Sequence, residues 1–239
     1  DAAGARVVHV PQGEDFEFPL DRILQAINPR TRLLFLTNPN NPTGIVIARE
    51  SIIAIGEAAP NAVVFVDEAY AEFSGTTLIG DPALTRLTNI LIGRTFSKCY
   101  GLAGLRIGAL VGPATRIAAI RRVLPPYSVN AAAAAALPAA LGDTAHYQSY
   151  LAQSQASKAL VYATLDRLGV RYWSSATNFV LARFGADSGR IVEGLKARGV
   201  YVRNRSTEHG CAGCVRITTG VLAHTQKCVS AIEEVLCDA

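Results

Sequence analysis

Asn89-Ile90-Leu91-Ile92-Gly93-Arg94-Thr95-Phe96-Ser97-Lys98-Cys99-Tyr100-Gly101-Leu102-Ala103-Gly104-Leu105-Arg106 decides how the rest of the chain is read. The first five residues are an apolar run with the character of a buried strand. The remainder puts two small hydroxyl residues, a lysine and, at its end, an arginine in one Gly-rich loop. A lysine amine is a nucleophile when desolvation or a neighbouring cation keeps it neutral. The hydroxyls of Thr95 and Ser97, with the guanidinium of Arg106, suit a phosphate. A lysine beside a bound phosphorylated carbonyl compound is the layout of a Schiff-base cofactor site. In most Gly-rich loops, however, a lysine and an arginine are simply solvated, so the flanking sequence has to decide.

Similar apolar runs lie on either side: residues 32–37, 63–66 and 107–111. Residues 6–11 form a further short β-rich run. The runs are continuous rather than alternating, which predicts strands covered on both faces in a mostly parallel α/β sheet. Helices are expected between them, at 16–27, where Leu20, Ile23, Leu24 and Ile27 share a face, and at 48–59, ended by Pro60-Asn61. The polar clusters 38–44, 67–70 and 95–106 each follow a strand. Ligands of open α/β sheets bind beyond the carboxyl ends of the strands, so the three clusters can converge on one site.

Past residue 111 the texture becomes helical: 114–124, closed by Pro125-Pro126, then an Ala-rich stretch at 129–141 and a long amphipathic one at 143–168. After Gly169 three strands are expected at 179–183, 200–203 and 214–218, with helices at 188–198 and 224–236. The expected organisation is a cofactor-binding large domain over 1–142, a connecting helix over 143–168 and a small α+β domain over 169–239.

Composition narrows the function classes. Half of the 239 residues are hydrophobic and the formal charge is only +4, with no basic cluster of the kind that holds nucleic acid. No apolar stretch is long enough for a bilayer; Ala131–Ala136 runs into Leu137-Pro138. The five cysteines lack a disulfide framework and point to free thiols in a cytoplasmic setting. Cys211-Ala212-Gly213-Cys214 is a lone C-x-x-C with only His209 nearby, an ordinary loop before it is a zinc site. Residue 1 is Asp and the chain has no methionine, so we expect the sequence not to start at a translation start.

A lysine that condenses with a cofactor aldehyde needs helpers. Asp67, at the end of a buried strand, suits a protonated ring nitrogen; a helix cap or an arginine pair would serve it as well. Tyr70 can present its hydroxyl to a phenolic oxygen, or be a half-buried aromatic with a wet tip. Asn41, between Pro39 and Pro42, can donate to the same oxygen or merely shape its turn. Arg203 is open to a surface ion pair, whereas Arg216, in an apolar strand, calls for an anion.

Asn41-Pro42-Thr43-Gly44, Asp67-Glu68-Ala69-Tyr70 and Ser97-Lys98 with Arg106 together resemble the class I/II, fold-type-I pyridoxal-phosphate aminotransferases, over essentially the whole chain. Within that family, 97–108 and Tyr201-Val202-Arg203-Asn204-Arg205-Ser206 with Cys214-Val215-Arg216-Ile217-Thr218-Thr219-Gly220 are similar to the histidinol-phosphate group. The resemblance implies pyridoxal 5'-phosphate attached to Lys98, Asp67 at its ring nitrogen and Tyr70 and Asn41 at its phenolic oxygen. It places Thr95, Ser97 and Arg106 at the cofactor phosphate. Arg203 and Arg216 are implied to hold the anion of a phosphorylated amine or of a 2-oxo acid. Transamination between histidinol phosphate and 2-oxoglutarate in histidine biosynthesis, by a homodimer when full length, is the expected activity. Aromatic amino-acid transamination, phospho-amino-acid decarboxylation and a non-catalytic remnant remain the alternatives. Asn204 stands where the family often has an acid and Tyr100 where it often has phenylalanine. The family also carries an N-terminal region ahead of this point, with a phosphate-binding loop, a ring-stacking aromatic and dimer contacts. The large domain is therefore expected to be truncated, and the isolated chain poorly soluble.

Overall fold

A computed structural model describes residues 4–237. Helix α1 (Leu20–Ala26) leads into β1 (Leu33–Thr37), α2 (Arg49–Ala58), β2 (Val63–Asp67), the single-turn α3 (Ala71–Ser74), β3 (Ile90–Thr95) and β4 (Gly108–Val111). Strands β1, β2 and β3 are parallel and adjacent in sequence order; β4 turns back antiparallel to β3. The register pairs Thr37 with Asp67 and Asp67 with Gly93, so the carboxyl ends of the parallel strands are level. That alignment brings the Asn41, Asp67 and Lys98 loops to one edge.

Leu36, Val64, Val66, Ile90 and Ile92 pack against Ile52, Ile53 and Ile55 around α2. Each such side chain contributes about 1.5–3 kcal/mol by leaving water. The opposite face departs from the expectation of two covered faces. Leu33 is 58% and Phe35 62% exposed, and β4 is largely exposed. No described element lies over these positions; Phe35 and Phe65 cover each other, 4.7 Å between ring centroids. Residues 6–11 form no strand, because none lies beside them to pair with, and Val7 and Val8 stay exposed. The helix expected at 16–27 is shortened to α1, which starts directly after its N-cap residue Pro19, whose carbonyl accepts the Ile23 N–H at 3.0 Å.

Helices α4 (Ala114–Arg121), α5 (Ala131–Gly142) and α6 (Thr144–Arg167) follow, then β5 (Arg171–Trp173), β6 (Phe179–Arg183), α7 (Ser188–Ala197), β7 (Arg203–Asn204), β8 (Cys214–Thr218) and α8 (Leu222–Cys237). Asn130 and Asp143 cap α5 and α6 by accepting from the Ala133 and His146 N–H groups. The second sheet is antiparallel throughout, in the order β5-β6-β8-β7. One face buries Val180, Ala182, Val215 and Ile217 under Val161 and Leu165 of α6, Ile191 and Leu195 of α7 and Val229, Ile232 and Val235 of α8. The strand expected at 200–203 shrinks to Arg203–Asn204, because the Val200 N–H is used on Leu195 O at the end of α7. Strand β5 was not expected, being only three residues long and charged at its first.

The loop after β1 wedges against the loop before β6. Gly44 has φ +77°, and a Cβ there would lie 2.3 Å from Ser175 Oγ. The Ala176 N–H donates to Gly44 O at 2.9 Å. Among the described residues no helix is long and apolar enough to cross a membrane, and no group of three or more His, Cys, Asp or Glu side chains could hold a metal ion.

Candidate active site

The loop carrying Asn41 is held from within. The Asn38 N–H donates to Asp67 O at 2.8 Å, and Asn38 Oδ1 accepts the Ile47 N–H at 2.8 Å. Thr43 Oγ1 donates to Asn40 Oδ1 at 2.9 Å. Both the Asn38–Pro39 and Asn41–Pro42 bonds are cis. Asn41 is left on the outside of this turn, where its Oδ1 accepts from Arg216 Nη1 at 2.6 Å.

Strand alternation sends Asp67 and Glu68 to opposite sides. Asp67 Oδ1 accepts the Ala69 N–H at 3.0 Å. Burial pushes its carboxyl pKa above the ordinary value, while the Ala69 bond and the charge of Lys98 pull the other way. Tyr70 is buried, edge-on to Phe179 at 5.2 Å. The Lys98 Nζ stands over its ring, 5.5 Å from the centroid, within cation–π range.

The lysine loop folds back on itself through Gly101 N–H to Lys98 O at 3.2 Å and Leu102 N–H to Phe96 O at 3.1 Å. Thr95 Oγ1 accepts the Ser97 N–H at 3.1 Å. Arg106 takes a left-handed conformation, φ 53°, is exposed, and donates to Ala103 O at 3.0 Å.

From the second sheet, Arg216 lays its guanidinium over Phe179, 4.8 Å from the ring centroid. Its Nε is buried and has no hydrogen-bond partner. Burial first, and then the positive charges of Arg205 and Arg203, lower its pKa; Tyr70 and Glu208 oppose the shift. Arg203 is exposed and is the cross-strand partner of Arg216. Arg205 pairs with Glu208 at 2.5 Å.

The structure thus joins Asn41, Asp67, Tyr70, Lys98 and Arg216 by direct contacts or close charge. Thr95 and Ser97 sit together beside Lys98 in the chain. Among the described residues no hydrogen bond links Arg106 to either of them, and Arg203 approaches only through strand pairing. Phe179 is a member that the sequence offered only as a strand residue. It lies opposite Thr218, two pairs along from Leu181 and Arg216 in the β6–β8 ladder, a register that no local sequence pattern encodes.

Several groups here have spare capacity. Asp67 has one backbone donor, the Lys98 ammonium faces a ring and a carboxylate, and an Arg216 donor is orphaned. A buried donor without a partner costs about 1–3 kcal/mol, so these residues suit a ligand with a basic ring nitrogen, a carbonyl and an anion.

The family model for class I and II aminotransferases matches residues 1–232. The chain is 39% identical to histidinol-phosphate aminotransferase 2 of Ralstonia nicotianae, covering 99% of the chain and 64% of that protein. It is 38% identical to histidinol-phosphate aminotransferase of Paracoccus denitrificans, over 92% of the chain and 60% of that protein. The crystal structure of histidinol-phosphate aminotransferase from Sinorhizobium meliloti in complex with pyridoxal-5'-phosphate superposes with a TM-score of 0.87 at 29% identity, covering 98% of the chain and 65% of that one. The chain therefore spans 60–64% of the length of these two sequence relatives.

Proposed function

The chain belongs to the class I and II aminotransferases, and on that premise we propose that it serves transamination between histidinol phosphate and 2-oxoglutarate, with pyridoxal 5'-phosphate as cofactor. The observation that carries this is the meeting of Lys98, Asp67, Tyr70 and Asn41 from three separate loops, tied by Asn41 and Phe179 to Arg216 of the other sheet. A cytoplasmic homodimer, with neither nucleic acid nor membrane as partner, is part of the same proposal. So is the division into a large domain at 1–142, a connecting helix at 143–168 and a small domain at 169–239.

The cofactor, when bound, supplies an aldehyde that condenses with amines and a pyridine ring that accepts the electron pair left when a substrate Cα–H bond breaks. Lys98 Nζ would hold the cofactor at its aldehyde and, as a free amine, would move the proton at the substrate Cα. Asp67 would hold the proton on the ring nitrogen. Tyr70 and Asn41 would orient the phenolic oxygen. Thr95, Ser97 and Arg106 would bind the phosphate, and Arg216 with Arg203 would take the substrate anion. A single guanidinium fork serves a phosphate in one half-reaction and a carboxylate in the other, because both offer paired oxygens.

Lys98→Ala is expected to abolish both transamination and the borohydride-reducible adduct seen with pyridoxal phosphate. Retention of the adduct on another lysine, with activity intact, would overturn the assignment. Single-turnover rates with histidinol phosphate, phenylalanine and threonine phosphate then fix the substrate: faster turnover of either amino acid replaces the proposed one.

A further inference from the structure

We propose that Cys211 and Cys214 are a reversible redox pair, closed into a disulfide by hydrogen peroxide across the turn they bracket. The proposal stands on the second sheet alone and is independent of the aminotransferase activity.

The Cys214 N–H donates to Cys211 O at 2.9 Å, which closes a four-residue turn. Gly213, its third residue, has φ +70°, the positive value a type II turn needs there. Such a turn holds its outer Cα atoms within about 7 Å, and disulfides span about 4.4–6.8 Å. The two thiols are close enough for each to shift the other's titration, and the Cys214 Sγ donates to Ala212 O at 3.8 Å. The turn is pinned, because Gly213 O accepts from the Phe184 and Gly185 N–H groups at 2.8 and 3.1 Å. A Cβ at Gly213 would lie 2.6 Å from Gly185 Cα. Bridging the pair therefore demands little movement of the backbone.

Charge distinguishes the two sulfurs. In the ladder Arg183 is opposite Cys214, and Arg171 is opposite Arg183. Arg183 lies over Trp173, 5.0 Å from the ring centroid, and its buried Nε has no partner. The neighbouring Cys211 thiol and then the cations Arg183 and Arg171 pull the Cys214 thiol below its ordinary value, against the effect of burial. The proximity of Cys214, ahead of burial, pushes the Cys211 thiol up. One cysteine is thereby the nucleophile and its neighbour the resolving thiol. Cys99 and Cys228 have no such cations, and burial raises them to about 12 and about 11.

Both sulfurs are buried, which favours a small neutral oxidant over a bulky disulfide. The Cys214 sulfur attacks one oxygen of hydrogen peroxide, the O–O bond breaks, and the departing hydroxide takes up a proton as water. The Cys211 sulfur then attacks the resulting sulfenic sulfur, the S–O bond breaks, and a second water leaves. Two thiols lose two electrons and two protons; one peroxide becomes two waters. The new bond sits two residues before Arg216, in the strand whose Cys214 O accepts the Arg205 N–H at 2.9 Å.

The test is to treat the folded protein with hydrogen peroxide, alkylate the remaining thiols with iodoacetamide, and weigh the peptides. The peptide carrying both cysteines should be about 2 Da lighter, unalkylated, and restored by dithiothreitol. Emission from Trp173, the only tryptophan in the chain and a member of the same buried cluster, should change with the same time course. Cys211→Ser should leave a Cys214 that dimedone traps and no light peptide, and Arg183→Gln should slow the oxidation several-fold. Two alkylated thiols at 211 and 214, under conditions that oxidise the exposed Cys237, would overturn the proposal. So would sulfinic acid at Cys214 without a disulfide. The wild-type mass decides even where Cys211→Ser does not fold.

Discussion

Asp67 ends strand β2 and Glu68 follows it directly, yet the two carboxylates end in opposite kinds of surroundings. On the Glu68 side, Arg94 donates to Glu68 Oε2 at 3.0 Å and to Glu72 Oε1 at 2.6 Å. Thr77 Oγ1 and the Leu78 N–H complete the shell of Glu68 at 2.5 and 2.8 Å. Burial disfavours the Arg94 charge, but the two carboxylates, Glu72 first, outweigh it and raise its pKa. Only Glu72 Oε2 is left over. On the Asp67 side, the arginine is Arg216, whose one side-chain acceptor among the described residues is the neutral amide of Asn41, and whose pKa is lowered by burial first and then by the nearby cations Arg205 and Arg203. The first group of charges is consumed by the fold. The second is held in place but left unmatched, which is how a protein keeps charge available for a ligand.

The most severe way to break this comparison is Arg94→Ala. It leaves Glu68, fully buried, and Glu72 facing each other without a cation. Removing one partner of a buried pair costs about 3–5 kcal/mol. For a chain of this size that is a fall in melting temperature of roughly 10 °C. Calorimetry measures it, and the molecules that remain folded should bind inorganic phosphate as wild type does.

Arg216→Gln should show the inverse pattern. Charge-assisted hydrogen bonds are worth about 1.5–3 kcal/mol, so the dissociation constant for a phosphorylated amine should rise about 10- to 100-fold. Thermal stability should hold or improve, since folding buries this guanidinium without giving it a carboxylate. Titration calorimetry and a melting curve on the same sample are sufficient. A loss of stability matching that of Arg94→Ala would erase the distinction between the two arginines.

How much of this was legible in the sequence follows from distance along the chain. The ends of β2 and β3 were legible, because an apolar run followed by a polar cluster is local information. So was the long helix, found at Thr144–Arg167 against an expected 143–168. The bond from Arg216 to Asn41 joins residues 175 positions apart, and no periodicity encodes such a pair. Phe179 was hidden for the same reason. The exposure of Leu33 and Phe35 was invisible because an apolar run reads the same whether or not a second layer covers it. Arg106 has the type and spacing that fit a phosphate, but its bond from Nη1 to the Ala103 carbonyl could be read only from the fold. The family resemblance supplied roles for these residues; only the fold could say which of them touch.

Asp67→Asn should give the smallest shift and the clearest sign. The substitution keeps an oxygen that can accept the Ala69 N–H and removes the charge. A carboxyl whose pKa is raised by folding binds its proton more tightly when folded, so its ionised form subtracts from stability above the folded pKa. As the pH falls through that folded value the penalty shrinks, and below the unfolded value it is gone. Asp67→Asn should therefore melt slightly higher than wild type at neutral pH, and the two curves should converge in the acidic carboxylate range. Excess pyridoxal phosphate should reverse the order at neutral pH. A protonated ring nitrogen gives the wild-type carboxylate the cation it lacks, whereas an amide offers that nitrogen only a neutral partner. If Asp67→Asn stayed the more stable protein with the cofactor present, Asp67 would belong with Glu68 among the residues the fold has already used, and the ring nitrogen would need another partner.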